Sequence, residues 1–198
     1  LPSPVTPNIP EPDQMAARDF LTMHELLHRP YVACSLAERS NRRWSLTEWS
    51  AVVDLLWTQW RLPSVFVGSA KRRVDTLHIR EISHSAPVTA CGYAGVLSST
   101  AIIRHAALVI GEDGGLTTAA MDTGTPTIIL CGPTNPERYL EEPNVRTCFH
   151  PIPCAPCQDR SACGPAACMA AIPAADVISA IHRVLVDQAP LLRQLDAE

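Results

Sequence analysis

The sequence predicts an α/β domain: a parallel β-sheet with helices on both faces. Three observations carry that expectation. Short apolar runs alternate with helical stretches from residue 31 onward. Those runs are continuously apolar, as strands buried on both faces of a sheet must be. Within 107–134, an apolar run ends in an acid and two glycines, a short helical stretch opens, and a second apolar run closes on Gly-Pro-Thr. That is a strand, a turn, a helix and another strand. A chain of 198 residues suits one domain, with an appendage at most, and is long enough to bury a real core. Its formal net charge of −4 argues against nucleic acid as a partner, since a binder of phosphate backbones carries a basic surface.

The elements follow in order. Residues 1–12 (LPSPVTPNIPEP) hold five prolines and should run extended as a linker. From Asp13, a plausible cap, a helix is expected with Met15, Phe20, Met23 and Leu27 on one face, and Arg29-Pro30 ends it. Residues 1–30 are thus read as a proline-rich connector with its helix, and 31–198 as the domain proper. A first strand is expected at 31–36. A helix follows at 45–60, opened by Ser45 with Glu48 three residues on, the pattern of a capping box. Trp49, Trp57 and Trp60, with Leu55 and Leu56, should pack that helix on the sheet. A second strand at 63–67 ends at Gly68-Ser69, and a polar helix should cover 71–83. Strands are expected at 87–91, 107–110, 125–130 and 145–149, with a helix at 98–105 and an amphipathic terminal helix at 174–186. No apolar stretch approaches the roughly 18–20 residues that span a bilayer, and no charged segment precedes an apolar one at the start. A cytoplasmic location is the expectation.

Chemistry should gather beyond the carboxyl ends of the strands, where a helix N-terminus turns free backbone N–H groups toward an anion. Asp113, Gly114, Gly115 and Leu116 form such a turn after a buried strand, and Thr117 and Thr118 add hydroxyl groups. Gly132, Pro133 and Thr134 end the next strand and should form an adjacent loop, or simply a rigid turn with Pro at its corner. Arg39, Arg42 and Arg43 follow the first strand at the same edge of the sheet. Arginine forks suit phosphate oxygens, the alternative being a solvated basic loop. Lys71, Arg72 and Arg73 stand similarly after the second strand.

Four of the eight cysteines, Cys154, Cys157, Cys163 and Cys168, crowd into one segment. Their spacing suits four thiolates around a structural zinc or iron in a small finger at 153–169, with disulfides or free thiols as the alternative. Four ligands leave no open position, so such a metal would staple and not catalyse. Cys34, Cys91, Cys131 and Cys148 lie singly in or beside apolar runs and should be small buried hydrophobes.

In this order the motifs resemble those of glycosyltransferase family 9, the heptosyltransferases of lipopolysaccharide assembly. RRWSLTEW (42–49) is similar to the family's Lys/Arg-x-Trp-Pro segment, and IIRHAALVIGEDGGLTTAA (102–120) to the segment ending Asn-Asp-Ser-Gly-x-x-His. GTPTIILCGPTNPERY (124–139) is similar to its Gly-x-Pro…Gly-Pro-Thr-x-Pro, and the cysteine segment closing on Cys168-Met169 resembles that of several family branches. The likeness runs from about residue 31 to 185. Gly114 stands where the family has Ser or Thr, and Thr118 where it has His.

The resemblance implies the C-terminal, Rossmann-like, donor-binding half of a two-domain GT-B enzyme. It implies inverting transfer of a sugar, with ADP-heptose as donor, to a lipopolysaccharide or protein acceptor. Asp113, Gly114, Gly115, Leu116 and Thr117 would line the donor's diphosphate and sugar, Thr118 would stand beside them, and Arg42 would neutralise the diphosphate. Gly132, Pro133 and Thr134 would shape the nucleotide side. No catalytic metal is then required. An N-terminal acceptor-binding domain, with the acidic residue that serves as base, would be the partner missing from this chain, and any membrane association would be peripheral, through the acceptor. The competing expectation is a non-catalytic, metal-stapled module that binds a nucleotide or a protein. An epimerase of GT-B shape is disfavoured, because no carboxylates for it are evident across the cleft.

Overall fold

The structure, a computed structural model, describes residues 7–93, 95–140, 142–158 and 166–195, with the backbone alone for 187–195. Six strands form one sheet: β1 (Val32–Ser35), β2 (Ser64–Val67), β3 (Val88–Thr89), β4 (Leu108–Glu112), β5 (Thr127–Cys131) and β6 (Val145–Phe149). Every pairing is parallel, and the spatial order is β3-β2-β1-β4-β5-β6. The expected α/β class is what forms. β1, β2, β4 and β5 are buried at every position, which is why they show no polar alternation in sequence.

Helices α1 (Glu11–Met23), α4 (Val96–Arg104) and α5 (Gly115–Asp122) cover one face. Helices α2 (Leu46–Trp60), α3 (Arg73–Ile82), α6 (Ala167–Ala170) and α7 (Ala174–Leu195) cover the other. Strands β1, β2 and β4 divide their side chains between two cores accordingly, and Ile129, Cys131 and Val145 of β5 and β6 form a third, smaller one with Tyr139. Val32, Cys34, Phe66, Leu108 and Ile110 meet Trp49, Val53 and Leu56 of α2. Ala33, Val65, Val67 and Val109 meet Phe20 and Leu21 of α1 and Ile102 and Ile103 of α4.

Four local expectations need correction. α1 buries Ala17, Phe20 and Leu21, while Met15 is 56% and Met23 66% exposed. The face that packs is set by contact with α4, and Met15 and Met23 fall off it. Asp13 is not the N-cap either; Pro10 is, and Asp13 accepts a 2.5 Å hydrogen bond from Ser98 Oγ of α4. The capping box at Ser45 does not close. Ser45 Oγ pairs with Thr47 Oγ1 at 2.8 Å, and Glu48 reaches away to accept from the backbone N–H of Ala174, 2.6 Å off, at the start of α7. An orphan donor on a buried helix end drew the carboxylate more strongly than its own helix did. Trp57, expected in the core, is half-buried instead, with the Arg29 and Arg61 guanidinium groups 5.5 and 5.8 Å from its ring centre.

The cysteine segment is described in part, and Cys163 lies outside the described residues. Cys154 and Cys157 are exposed, whereas Cys168, in α6, is buried. Cys34, Cys91, Cys131 and Cys148 are buried free thiols, as expected of small core hydrophobes. No described helix is long and apolar enough to cross a membrane.

Candidate functional site

The sheet order makes the site. From β1 the chain winds outward through β2 to β3, then returns to the other side of β1 as β4. At that reversal the loops after β1 and β4 part in opposite directions and leave a crevice beyond the strand ends, the general ligand position in open α/β sheets. A cavity of about 870 Å³ lies there.

Its floor is the turn between β4 and α5. Gly114 is fully extended (φ −166°, ψ 176°) and α5 begins at Gly115, so the first N–H groups of the helix lie at the cavity wall. Gly111, two residues before the turn, has to be glycine. A Cβ there would strike the Thr117 side chain, and would come within 3.1 Å of Ser35 Cβ on the neighbouring strand. Its absence lets α5 lean back onto β4. A Cβ on Gly115 would stand in open space, more than 4 Å from its neighbours among the described residues, so the cavity reaches the backbone itself.

Two adjacent carboxylates anchor this floor. Glu112, 1% exposed, accepts three hydrogen bonds: from the backbone N–H of Ala37 to Oε2 at 2.5 Å, and from the backbone N–H of Trp44 and the indole Nε1 of Trp49 to Oε1 at 2.7 and 3.1 Å. Burial pushes its carboxyl up to about 7, against the lowering pull of those three donors and of Arg72. Asp113 points the other way. Its Oδ2 takes an ion pair from Arg42 Nη1 at 2.6 Å and a hydrogen bond from Thr134 Oγ1, and its Oδ1 accepts from Tyr139 Oη at 2.7 Å. Arg42 Nη1 also donates to the Asp113 carbonyl at 2.9 Å. Burial and the hydrogen bond to Asp113 drive the Tyr139 phenol well above its ordinary range.

Arg42, Asp113, Gly114, Gly115, Leu116 and Thr118 line the cavity together. Thr117 does not; its hydroxyl turns inward and donates to the Glu112 carbonyl at 2.7 Å. The Thr118 hydroxyl donates to the Gly114 carbonyl at 3.1 Å, so neither hydroxyl is held out toward the cavity. Gly132, Pro133 and Thr134 stand behind the wall. Thr134 holds Asp113 from the rear, the Pro133 carbonyl accepts from the Gln158 N–H at 2.8 Å, and Gly132 is capped by α6. A Cβ on Gly132 would lie 2.5 Å from Met169 Sδ and 3.0 Å from Cys168 Sγ. Of the second basic cluster, Arg72 is buried and paired with Asp75, and it does not line the cavity.

Sequence reasoning passed over several lining groups. Arg138, in the short 3₁₀ turn after β5, reaches the cavity, as do residues 68–70 after β2 and Gly92, Gly95 and Ser99 beyond β3. Each follows the carboxyl end of a strand, so the strand-end rule applies to all of them, Arg138 after β5 included. Arg39 and Arg138 have no carboxylate within ion-pair distance among the described residues, whereas the charge of Arg42 is already met by Asp113.

At the cysteine segment, burial raises the Cys168 thiol and the Cys157 and Cys154 charges raise it further, so the three thiols share one electrostatic neighbourhood. They do not form an assembled metal-binding group among the described residues.

An all-parallel α/β sheet with helices on both faces and a crevice at its switch point defines a Rossmann-like domain. Residues 3–165 match the family model described as "Glycosyltransferase family 9 (heptosyltransferase)", and the chain belongs to that family. Among solved structures, it is similar to a family 9 glycosyl transferase from Veillonella parvula (TM-score 0.73, 20% identity, 91% of this chain and 53% of that one). It is also similar to the ADP-heptose lps heptosyltransferase II of E. coli (TM-score 0.74, 16% identity, 96% and 56%). A third is TibC of enterotoxigenic E. coli, a dodecameric, iron-containing heptosyltransferase solved with ADP-D-beta-D-heptose (TM-score 0.61, 18% identity, 80% and 46%). The chain thus spans about half the length of the structures it matches. No curated protein sequence matches it.

Proposed function

We propose that this chain is the donor-binding half of an inverting glycosyltransferase that takes a sugar from a nucleotide sugar, ADP-heptose, and delivers it to a lipopolysaccharide or protein acceptor in the cytoplasm. One observation carries the reading: the switch-point crevice joins a helix N-terminus to a rim of arginines. As the bond to the anomeric carbon breaks, negative charge grows on the leaving diphosphate. The N–H groups opening α5 and the guanidinium groups of Arg42, Arg39 and Arg138 border the space where that charge would develop, which is how a site lowers a barrier. These cations can neutralise the diphosphate without a catalytic metal. Asp113 then serves as the fixed post that orients Arg42, and Thr134 and Tyr139 fix Asp113. The proton taken from the acceptor hydroxyl would go to an acidic residue of an N-terminal acceptor-binding domain.

The four cysteines Cys154, Cys157, Cys163 and Cys168 are proposed to hold a structural zinc or iron. The shared neighbourhood of the three described thiols supports this, and thiolate donors suit either metal. Such an ion would pin α6 against Gly132 and so brace the loop behind Asp113. Metal analysis of the purified protein, with and without Cys154→Ser and Cys157→Ser, tests it; fewer than about 0.1 metal ions per chain in the wild type would contradict it.

Arg42→Ala and Asp113→Ala should each weaken donor binding by about tenfold or more, since each removes or misdirects a charge-assisted contact. Unchanged affinity in both would sink the assignment. A nucleotide-binding module without chemistry is the second reading, favoured by Thr118, whose hydroxyl is engaged with the Gly114 carbonyl and offers the reaction no proton carrier. Glycosidic product from the full-length protein separates the two.

A further inference from the structure

The loop between β1 and α2 carries Arg39 and Arg42 to the cavity, and both of its ends are tied to one buried side chain. Ala37, at the loop's start, gives its N–H to Glu112 Oε2; Trp44, at its end, gives its N–H to Oε1. Trp49, from the first turns of α2, adds its indole N–H to the same oxygen as Trp44. All three contacts are donors, so the carboxylate acts as acceptor throughout. We propose that Glu112 is a positioning residue that clamps loop 37–44 at both ends, and that the protonation state of its carboxylate sets how firmly the loop presents Arg39 and Arg42 to the ligand.

The chemistry follows from the donor set. Ionised, the carboxylate satisfies all three N–H groups. Protonated, one oxygen becomes a hydroxyl, a poorer acceptor that needs an acceptor of its own, and none of the three facing groups can supply one. One end of the loop must then loosen.

The charged groups around Glu112 do not replace it. Arg72, from the turn before α3, acts on it at a distance and is itself paired with Asp75. Asp113 and Arg42 are bound to each other, and Glu48 of α2 is held by the Ala174 N–H. α2 presents the neutral indole of Trp49. With the carboxyl raised to about 7, the switch falls within the physiological range.

The clamp can be measured without any ligand, and its consequence for binding rests on the sugar-nucleotide reading above. In ¹H–¹⁵N spectra of the wild-type chain, the Ala37 and Trp44 amides and the Trp49 indole should titrate together with one midpoint near 7. In Trp49→Phe, which removes one donor and keeps a ring in the core, that midpoint should rise. ADP-glucose is the binding probe, because its diphosphate has no proton to lose between pH 6 and 8. Its affinity should fall about tenfold from pH 8 to pH 6, as the ionised fraction of Glu112 does, and should be flat over that range in Glu112→Gln. Amides that do not titrate together, an unmoved midpoint in Trp49→Phe, or a wild-type pH profile in Glu112→Gln would overturn the proposal. If the amides titrate as expected but ADP-glucose fails to bind even at pH 8, the clamp stands and the donor assignment falls.

Discussion

Glu112 and Asp113 are sequence neighbours at the end of one strand, yet they face opposite ways and hold different things. Asp113 gathers Arg42 from the loop after β1 and Thr134 and Tyr139 from the loop after β5, three side chains from two loops. Asp113→Ala would leave the part-buried Arg42 guanidinium with only the main-chain carbonyl at 113 and would strip the Thr134 and Tyr139 hydroxyls of their acceptor, a loss of about 1–3 kcal/mol. Thermal or urea unfolding should show that loss, and a cost under about 1 kcal/mol would mean that the network is slack. Glu112 raises a question of sign. Its proton is held more tightly folded, at about 7, than at its ordinary value of 4.5. Between those values the folded state binds more protons than the unfolded one, so stability falls as pH rises through that window, by up to roughly 3 kcal/mol from this group. Glu112→Gln should flatten that part of the stability-against-pH curve. The loop clamp is therefore firmest where the carboxylate weakens the fold most, a tension common at functional sites. Arg138→Ala should leave unfolding unchanged within about 0.5 kcal/mol, since Arg138 has no carboxylate partner among the described residues, yet weaken donor binding several-fold.

Among elements, the junction of β5 with α6 is where backbone packing bears on the site. Gly132→Ala would force Met169 and Cys168 off the strand end and should cost about 1–3 kcal/mol, with Thr134 shifted behind Asp113. Calorimetric unfolding of that variant checks it, and a wild-type midpoint would show that α6 yields freely. The elements also show what a sequence reveals. Strands buried on both faces were legible because burial leaves one signature, a continuous apolar run, that needs no knowledge of partners. The Gly-rich turn was legible because two glycines straight after a buried strand leave the backbone bare at the strand end. What stayed hidden depended on contacts distant in the chain. Glu48 looked like half a capping box and instead serves the N-terminus of α7, more than a hundred residues away. Met15 and Met23 had helical spacing, but α4 decides which face of α1 is inside. Arg138 reads as one more charge in a polar turn until the fold carries it to the crevice.

For the whole molecule, the order β3-β2-β1-β4-β5-β6 matters more than any single motif, because it places the loops of β1, β4 and β5 around one opening. The family match and the fold agree, and the chain spans about half the length of the solved structures that share its architecture. The domain carries its own two-sided core, so it should unfold cooperatively by itself. The most direct test of the donor site is calorimetric titration of ADP-heptose into the chain at pH 8, with Arg42→Ala and Arg138→Ala alongside. Saturable one-to-one binding, weakened about tenfold by Arg42→Ala and several-fold by Arg138→Ala, is the expected result. Binding that is absent, or that both substitutions leave untouched, would contradict a sugar-nucleotide site at the switch point.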